Sequence, residues 1–373
     1  REANSRFGFS ARTTLSIAQA LYERHKVLTY PRTDSRALPE DYLPTVKQTM
    51  GALEDDRAYG PFARQILGKD WVRPNKRIFD NSKVSDHFAI IPTLLAPKAG
   101  GLSDAEHRVY DLVVRRFLAV FFPAAEYLVT TRVTTVEGES FKTEGKVLVN
   151  PGWLAIYGRE GVADATLVPV KPGEQVLTNE IELQALATKP PARYTEATLL
   201  SAMEGAGKLI EDDELREAMA EKGLGTPATR AAIIEGLIAE NYLVREGRDL
   251  VPTTKAFQLL TLLRGLGVAE LTAPELTGEW EYKLSQIERG RLGRDAFMRE
   301  IADMTRQIVE RAKNYELDNV PGDYATLATP CPNCGGVVQE NYKRFACTKC
   351  DFSITKIPGG RQLEVADAEQ LLR

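Results

Sequence analysis

Apolar positions along the first third of the chain recur at helical three- and four-residue steps, broken by short β-prone runs. Leu15, Ala18 and Leu21 define one such helix, and Ser10 is placed to cap it. Val27-Leu28-Thr29-Tyr30 then departs from the helical period as a short strand-prone run ended by Pro31. A second helix is expected from Pro39, since proline suits a first helical position, and includes Tyr42 and Val46. A third, from Ser103 to Phe122, carries Val109, Leu112, Val113, Phe117 and Val120. The period then changes to two. Residues 127–149 alternate apolar and polar around Glu137-Gly138, which predicts a β-hairpin, and strand-like segments are expected to continue to about Leu186. Pro151-Gly152 and Pro172-Gly173 supply turns within that stretch. Pro190-Pro191 marks a boundary, helical patterning resumes at Thr195, and helices dominate to about Asn314. Residues 315–330, rich in Pro, Gly, Asp and Thr, read as a linker, and no repeat of solenoid period is present.

Composition adds bounds rather than detail. A chain of 373 residues, 43% hydrophobic and 27% charged, fits two to three ordinary globular domains. The formal net charge of −4 excludes a uniformly basic coat but leaves room for a local basic patch. Residues 1–36 hold such an excess: Arg1, Arg6, Arg12, Arg24, Lys26, Arg32 and Arg36 against Glu2, Glu23 and Asp34. All four cysteines fall between 331 and 350, which is no disulfide framework for a chain of this length and points to a reducing setting. No apolar run reaches transmembrane length, so no membrane partner is expected. The chain opens on Arg1 rather than Met, and we expect it to be cut from a longer protein.

Three segments carry candidate chemistry. Cys331-Pro332-Asn333-Cys334 and Cys347-Thr348-Lys349-Cys350 are two C-x-x-C knuckles with twelve residues between them, the spacing of a closed four-thiolate structural zinc site. Near them Tyr342, Lys343, Arg344, Phe345 and Phe352 interleave aromatic and basic residues, a surface for stacking bases and holding phosphates, although some of these aromatics must pack the small core. In Leu28-Thr29-Tyr30-Pro31-Arg32-Thr33-Asp34-Ser35, proline pushes Tyr30 towards an extended backbone and so presents its phenol at a cleft. Arg32, two residues on, points to the same side, where it can stabilise phenolate or grip a phosphate. A strand tyrosine is more commonly a core residue, so this pattern alone leaves both readings open. In Gly223-Leu224-Gly225-Thr226-Pro227-Ala228-Thr229-Arg230, Thr226 can cap a helix, Pro227 suits its first position, and the two glycines let the loop approach a ligand. Exposed N–H groups at such a start favour phosphate, with Thr229 and Arg230 in reach, while Ile233, Ile234, Leu237 and Ile238 are expected to enter a core. Tyr242–Val244 and Leu250–Pro252 then flank a small hairpin, completing a winged-helix-like unit suited to DNA backbone contacts. Of the histidines, His87 sits between Asp86 and Phe88, whereas His25 and His107 are assigned to the surface; Glu211-Asp212-Asp213-Glu214 reads as an exposed helix face.

Tyr30-Pro31-Arg32-Thr33-Asp34-Ser35 resembles the active-site segment of type IA DNA topoisomerases. The resemblance extends upstream through Arg1–Asn4 and Phe7–Ala11. Downstream it includes Asp86-His87-Phe88-Ala89-Ile90-Ile91-Pro92-Thr93, Pro191–Ala197 and Gly223–Arg230, four motifs in family order. Pro31, the order Thr226-Pro227-Ala228-Thr229-Arg230 and Leu276-Thr277-Gly278-Glu279-Trp280-Glu281 resemble the bacterial topoisomerase III branch. Gly359-Gly360-Arg361-Gln362 is similar to the start of a C-terminal topoisomerase repeat.

The resemblance implies a multidomain α+β fold, mostly helical, with a β-rich arch and a C-terminal zinc ribbon. Residues 1–115 would be the catalytic-tyrosine domain, helical and winged-helix-like, and 116–190 the arch. Residues 191–315 would form the gate base, 316–330 a linker, and 331–373 the ribbon and the start of the repeat. It implies an ATP-independent enzyme in which Tyr30, helped by Arg32, cuts one DNA strand as a 5′-phosphotyrosine, lets a strand pass and reseals the break. His87, Thr226, Thr229, Arg230, Lys343 and Arg344 are the expected DNA or phosphate contacts, and Cys331, Cys334, Cys347 and Cys350 the Zn2+ ligands. The family's Mg2+ is held by acidic residues of an N-terminal Toprim domain, which also bears a lysine; nothing in this chain matches it. Single-stranded DNA and negatively supercoiled or catenated duplex are the implied substrates. A helicase or single-strand-binding protein is the implied partner, in a monomeric, cytoplasmic, nucleoid-associated bacterial protein. The alternative is a non-catalytic single-stranded DNA-binding protein that keeps the scaffold and the ribbon.

Overall fold

The computed structural model describes residues 1–158, 165–219, 223–314, 324–341, 343–360 and 363–373. Most of the linker (315–323), Tyr342 and Arg361-Gln362 lie outside the described residues. The chain divides into two units, Arg1–Ala192 and Arg193–Arg373.

In the first unit, α1 (Glu2–Phe7) and α2 (Ala11–Glu23) lead to an extended segment through Tyr30. Ser10 caps α2 through Thr13 N, as expected. Leu21 is fully buried and Ile17 packs on the core, so the buried stripe runs through Ile17 and Leu21. The helix expected at Pro39 opens as a short 3-10 turn, Glu40–Tyr42, before α3 (Leu43–Ala52), with Pro44 in its first turn. Next come α4 (Gly60–Gly68) and α5 (Asp104–Ala119). A capping box between Ser103 and Glu106 starts α5. The helix ends before Val120, which is exposed; Tyr110, Val114 and Leu118 join Val109 and Phe117 in the core instead.

The hairpin forms where alternation placed it: β1 (Glu126–Val136) pairs antiparallel with β2 (Glu139–Asn150). Its turn residues Glu137 and Gly138 have φ of 51° and 86°, the left-handed geometry that a two-residue hairpin turn needs. The strands expected beyond it do not form. Among the described residues of 165–193, pairing is limited to an isolated bridge from Ala165 to Lys146. Val168, Leu177, Leu183 and Leu186 are 75–96% exposed. Alternation supplies a strand's face but not its partner, and without a neighbour the backbone has no ladder to join.

In the second unit, β3 (Tyr194–Thr195) precedes α6 (Glu196–Glu204), which starts where helical patterning was expected to resume and is capped by Thr195. After α7 (Asp213–Met219) and α8 (Arg230–Ala239), β4 (Leu243–Glu246) and β5 (Asp249–Pro252) form the expected wing, with sheet order β3-β5-β4. Helices α9 (Thr254–Gly265), α10 (Glu275–Glu288) and α11 (Arg294–Lys313) follow. Residues Glu211–Glu214 are exposed, and Asp212 caps the start of α7 through Leu215 N. Of the four α8 residues assigned to a core, Ile234 is fully buried and Ile238 half-buried, while Ile233 and Leu237 are exposed at 42% and 37%. They lie one turn apart on the helix.

The C-terminal module is an antiparallel sheet of β6 (Val338–Glu340), β7 (Arg344–Cys347) and β8 (Ser353–Thr355). Helix α12 (Val365–Leu372) closes its core: Leu363, Ala368 and Leu372 pack with Val338 and the fully buried Phe345. No helix among the described residues is long and apolar enough to cross a membrane.

Candidate active site

Tyr30 reaches its place through a tight exit from α2. His25 N and Val27 N return to Ala20 O and Leu21 O, and Lys26 takes φ 60°. The exit is clamped to α5. His25 Nε2 lies 3.2 Å from the buried Glu106 Oε1, and Arg24 also binds that carboxylate. His25 is therefore half-buried and paired, not a surface residue, because its ring covers a carboxylate that caps a neighbouring helix. Burial by itself would raise Glu106. Hydrogen bonds from Ser103 N and Oγ and from His25, with the Arg24 charge, outweigh it and lower the carboxyl to about 2.

Val27 and Leu28 are buried, and the segment runs antiparallel to residues 89–93. Thr29 N donates to Ile91 O and Thr93 N to Val27 O, each at 3.0 Å. Thr29 Oγ1 adds a second tie, accepting from Ile91 N at 2.9 Å and donating to Ala89 O at 3.2 Å. Further along, Thr33 Oγ1 donates to His87 O at 3.0 Å and Ser35 Oγ to Lys83 O at 2.7 Å. These seams bring two distant sequence motifs together. The Tyr30 and His87 rings lie 4.1 Å apart between centroids at 34°, and Tyr22 meets Tyr30 edge-on at 5.4 Å. The Tyr30 hydroxyl has no hydrogen-bond partner among the described residues. Arg32 is half-buried, its Nη2 donating to Gln19 Oε1 at 2.9 Å, while Gln19 Nε2 donates to Glu23 Oε1. Gln19, Tyr22 and Glu23 escaped the sequence reading; their one-turn spacing on α2 was the available signal.

In the second unit, Thr226 O accepts from both Thr229 N and Arg230 N, and Thr226 N donates to Thr229 Oγ1 at 2.8 Å. The expected helical start is therefore a turn, with α8 proper beginning at Arg230. Arg230 is half-buried, donating from Nε to Leu224 O and from Nη2 to Gly225 O, both at 3.1 Å. The close approach that Gly223 allows is to protein: at φ 64°, a Cβ there would lie 2.3 Å from Met203 O.

In the ribbon, the four cysteine Sγ atoms all lie within 4.8 Å of one another, a set that can hold a zinc ion. Lys349 N donates to Cys347 Sγ at 3.3 Å, and this bond above all holds the Cys347 thiol below the ordinary thiol range. Lys343 and Arg344 are exposed, Phe345 is core and Phe352 packs on it, so within the described residues the surface there is basic rather than aromatic.

A family model described as DNA topoisomerase matches residues 1–299, and the chain belongs to that family, the type IA DNA topoisomerases. Among curated relatives, it is 41% identical over 350 residues to DNA topoisomerase 3 of Bacillus cereus, covering 90% of this chain and 46% of that protein. It is 40% identical over 365 residues to DNA topoisomerase 3 of Bacillus subtilis, covering 94% and 49%. The chain thus spans about half the length of the curated relatives it matches. Full-length topoisomerase I from Thermotoga maritima shares the fold, with a TM-score of 0.66 at 22% identity over 97% of this chain and 56% of that one.

Proposed function

We propose that this chain supplies the nucleophile of an ATP-independent topoisomerase of the topoisomerase III branch that cuts one DNA strand at a time. Tyr30 Oη attacks a backbone phosphorus, and the bond to the 3′ oxygen breaks. The proton lost by the phenol is balanced by the one gained by the leaving 3′ hydroxyl. The resulting 5′-phosphotyrosine keeps the energy of the bond, and the 3′ hydroxyl reverses the step after strand passage. The observation that carries this reading is the Tyr30–His87 contact, with the phenol oxygen unengaged. Arg32 needs only to leave Gln19 to meet phosphate charge. His87 can donate a hydrogen bond to the same phosphate.

On this reading residues 1–115 form the tyrosine domain, 116–190 the arch and 191–315 the gate base. Thr226, Thr229, Arg230, Lys343 and Arg344 would serve DNA backbone contacts, those of Arg230 requiring it to leave its loop carbonyls. Mg2+ would be bound by Toprim carboxylates of the whole protein. Single-stranded DNA and supercoiled or catenated duplex are the substrates, a helicase or single-strand-binding protein the partner, and the bacterial nucleoid the site of action. The test is covalent trapping of the whole protein on a labelled single-stranded oligonucleotide. Wild type forms an adduct that maps to Tyr30 and reseals with magnesium; Tyr30→Phe forms none. Relaxation of supercoils by Tyr30→Phe would refute the assignment.

A further inference from the structure

A cavity of about 360 Å³ opens in the first unit where the loop before Phe79 meets the end of α5. It shares no residue with the Tyr30 cluster. Trp71, Arg73, Asn75, Ile78, Phe122 and Pro123 form its walls, and no carboxylate lines it. Trp71 and Phe122 are both half-buried and meet edge-to-face at 4.9 Å. Phe122 is backed in turn by Phe62 at 6.0 Å, so this aromatic wall is fixed rather than loose.

Arg73 is the charged residue of the lining, and Lys69, Lys76 and Arg77 flank it in the same short run, all four exposed. Nearby acids are already matched: Asp70 pairs with Lys47, Glu40 with Lys76, and Asp80 with Lys83. Lys69, Arg73 and Arg77 have no side-chain partner among the described residues. The loop that bears them is preorganised by Asn75, whose Oδ1 accepts from Arg77 N at 2.9 Å and whose carbonyl accepts from Ile78 N and Phe79 N.

An aromatic-walled cleft of this size beside unpaired guanidinium groups is suited to one unstacked base and its flanking phosphates. We propose that this cavity is a second contact for single-stranded DNA, holding a base against Trp71 and Phe122 and phosphates on Arg73 and Arg77. The proposal rests on DNA being the substrate but not on the chemistry of Tyr30.

The test uses the full chain carrying Tyr30→Phe, which removes covalent capture, and an iodouracil-substituted single-stranded oligonucleotide. Photo-crosslinking is expected at Trp71 or Phe122. The double variant Arg73→Ala/Arg77→Ala changes only exposed side chains. It is expected to flatten the slope of log affinity against log salt by about 0.7 for each phosphate that is no longer neutralised, and to reduce the crosslink. A crosslink map without either aromatic, or an unchanged salt slope in the double variant, overturns the proposal. Suppression of the crosslink by thymidine monophosphate, added before irradiation at equal nucleotide concentration, would make the cavity a free-nucleotide site and overturn it equally. The Tyr30 adduct of the wild type is read separately: its absence with the crosslink present counts against strand cleavage and supports this site.

Discussion

Replacing Thr29 with valine removes one hydroxyl from the seam that sets Tyr30 beside His87. That oxygen accepts from Ile91 N at 2.9 Å and donates to Ala89 O at 3.2 Å. Ile91 is 5% exposed, and its amide has no other partner among the described residues. Valine matches threonine in shape, so the loss falls almost wholly on hydrogen bonding. A buried donor left unsatisfied costs about 1–3 kcal/mol. For a unit of this size each kcal/mol lowers the midpoint by about 2–4 °C, so the expected fall is roughly 2–12 °C. Thr29→Ser keeps the hydroxyl and loses one methyl of a half-buried side chain, costing about 1 kcal/mol or less. Thermal unfolding of the full chain separates the two, and hydrogen exchange at the Ile91 amide should accelerate in the valine variant alone. Covalent adduct formation should fall as well, since Tyr30 and His87 owe their register to this seam. Wild-type stability and exchange in Thr29→Val, or a larger loss in Thr29→Ser, would refute the reasoning.

Two further outcomes follow from the ribbon and the α2 exit. Metal analysis should find one zinc per chain, released by a strong chelator and lost in Cys334→Ser, because all four Sγ atoms share one cluster; a chain with no zinc and a chelator-insensitive ribbon would sink the assignment. Glu106 has a folded-state value of about 2 against an ordinary 4.5, so its contribution is full above about pH 4.5 and is lost as pH falls towards 2. Glu106→Gln should therefore be less stable than wild type at neutral pH, with the gap closing across that window; a gap independent of pH would contradict the clamp.

What the sequence made legible was whatever one local cause decides. The Ser10 cap, the Glu137-Gly138 turn and the cysteine knuckles each need only residues within a few positions of one another. Period-based assignments held where a neighbour exists and failed where it does not. Leu177 and Leu183 alternate like a strand yet stand 87% and 96% exposed, and Ile233 and Leu237, spaced like a core stripe on α8, stay 42% and 37% exposed. Phe345 shows the reverse: its basic surroundings suggested a stacking surface, but at the centre of a sheet this small it is the core. The pairing of Tyr30 with His87 spans 57 positions, and only the family resemblance placed both at one site. His25 was misplaced for a similar reason, since its partner Glu106 lies 81 residues away.

Why Tyr30, of the tyrosines in this unit, suits the nucleophile's role proposed for it follows from what holds each of them. Tyr59 is 5% exposed and its hydroxyl donates to Asp111 at 3.0 Å. Burial first and the neighbouring carboxylate second push that phenol far above the ordinary range, which suppresses the phenolate. Tyr110 is pushed up to about 12, chiefly by burial. Tyr30 is held differently: Thr29 anchors its backbone, Pro31 keeps it extended, and Tyr22 and His87 fix its ring by contact alone. The oxygen is thereby positioned without being engaged by an acceptor, and the charged group two residues on is a cation. A nucleophile must be rigid to be aimed, but any carboxylate that fixed it through its hydroxyl would oppose its ionisation. Ring contacts resolve that conflict, which is why substituting Tyr22 or His87 should disturb aim more than stability.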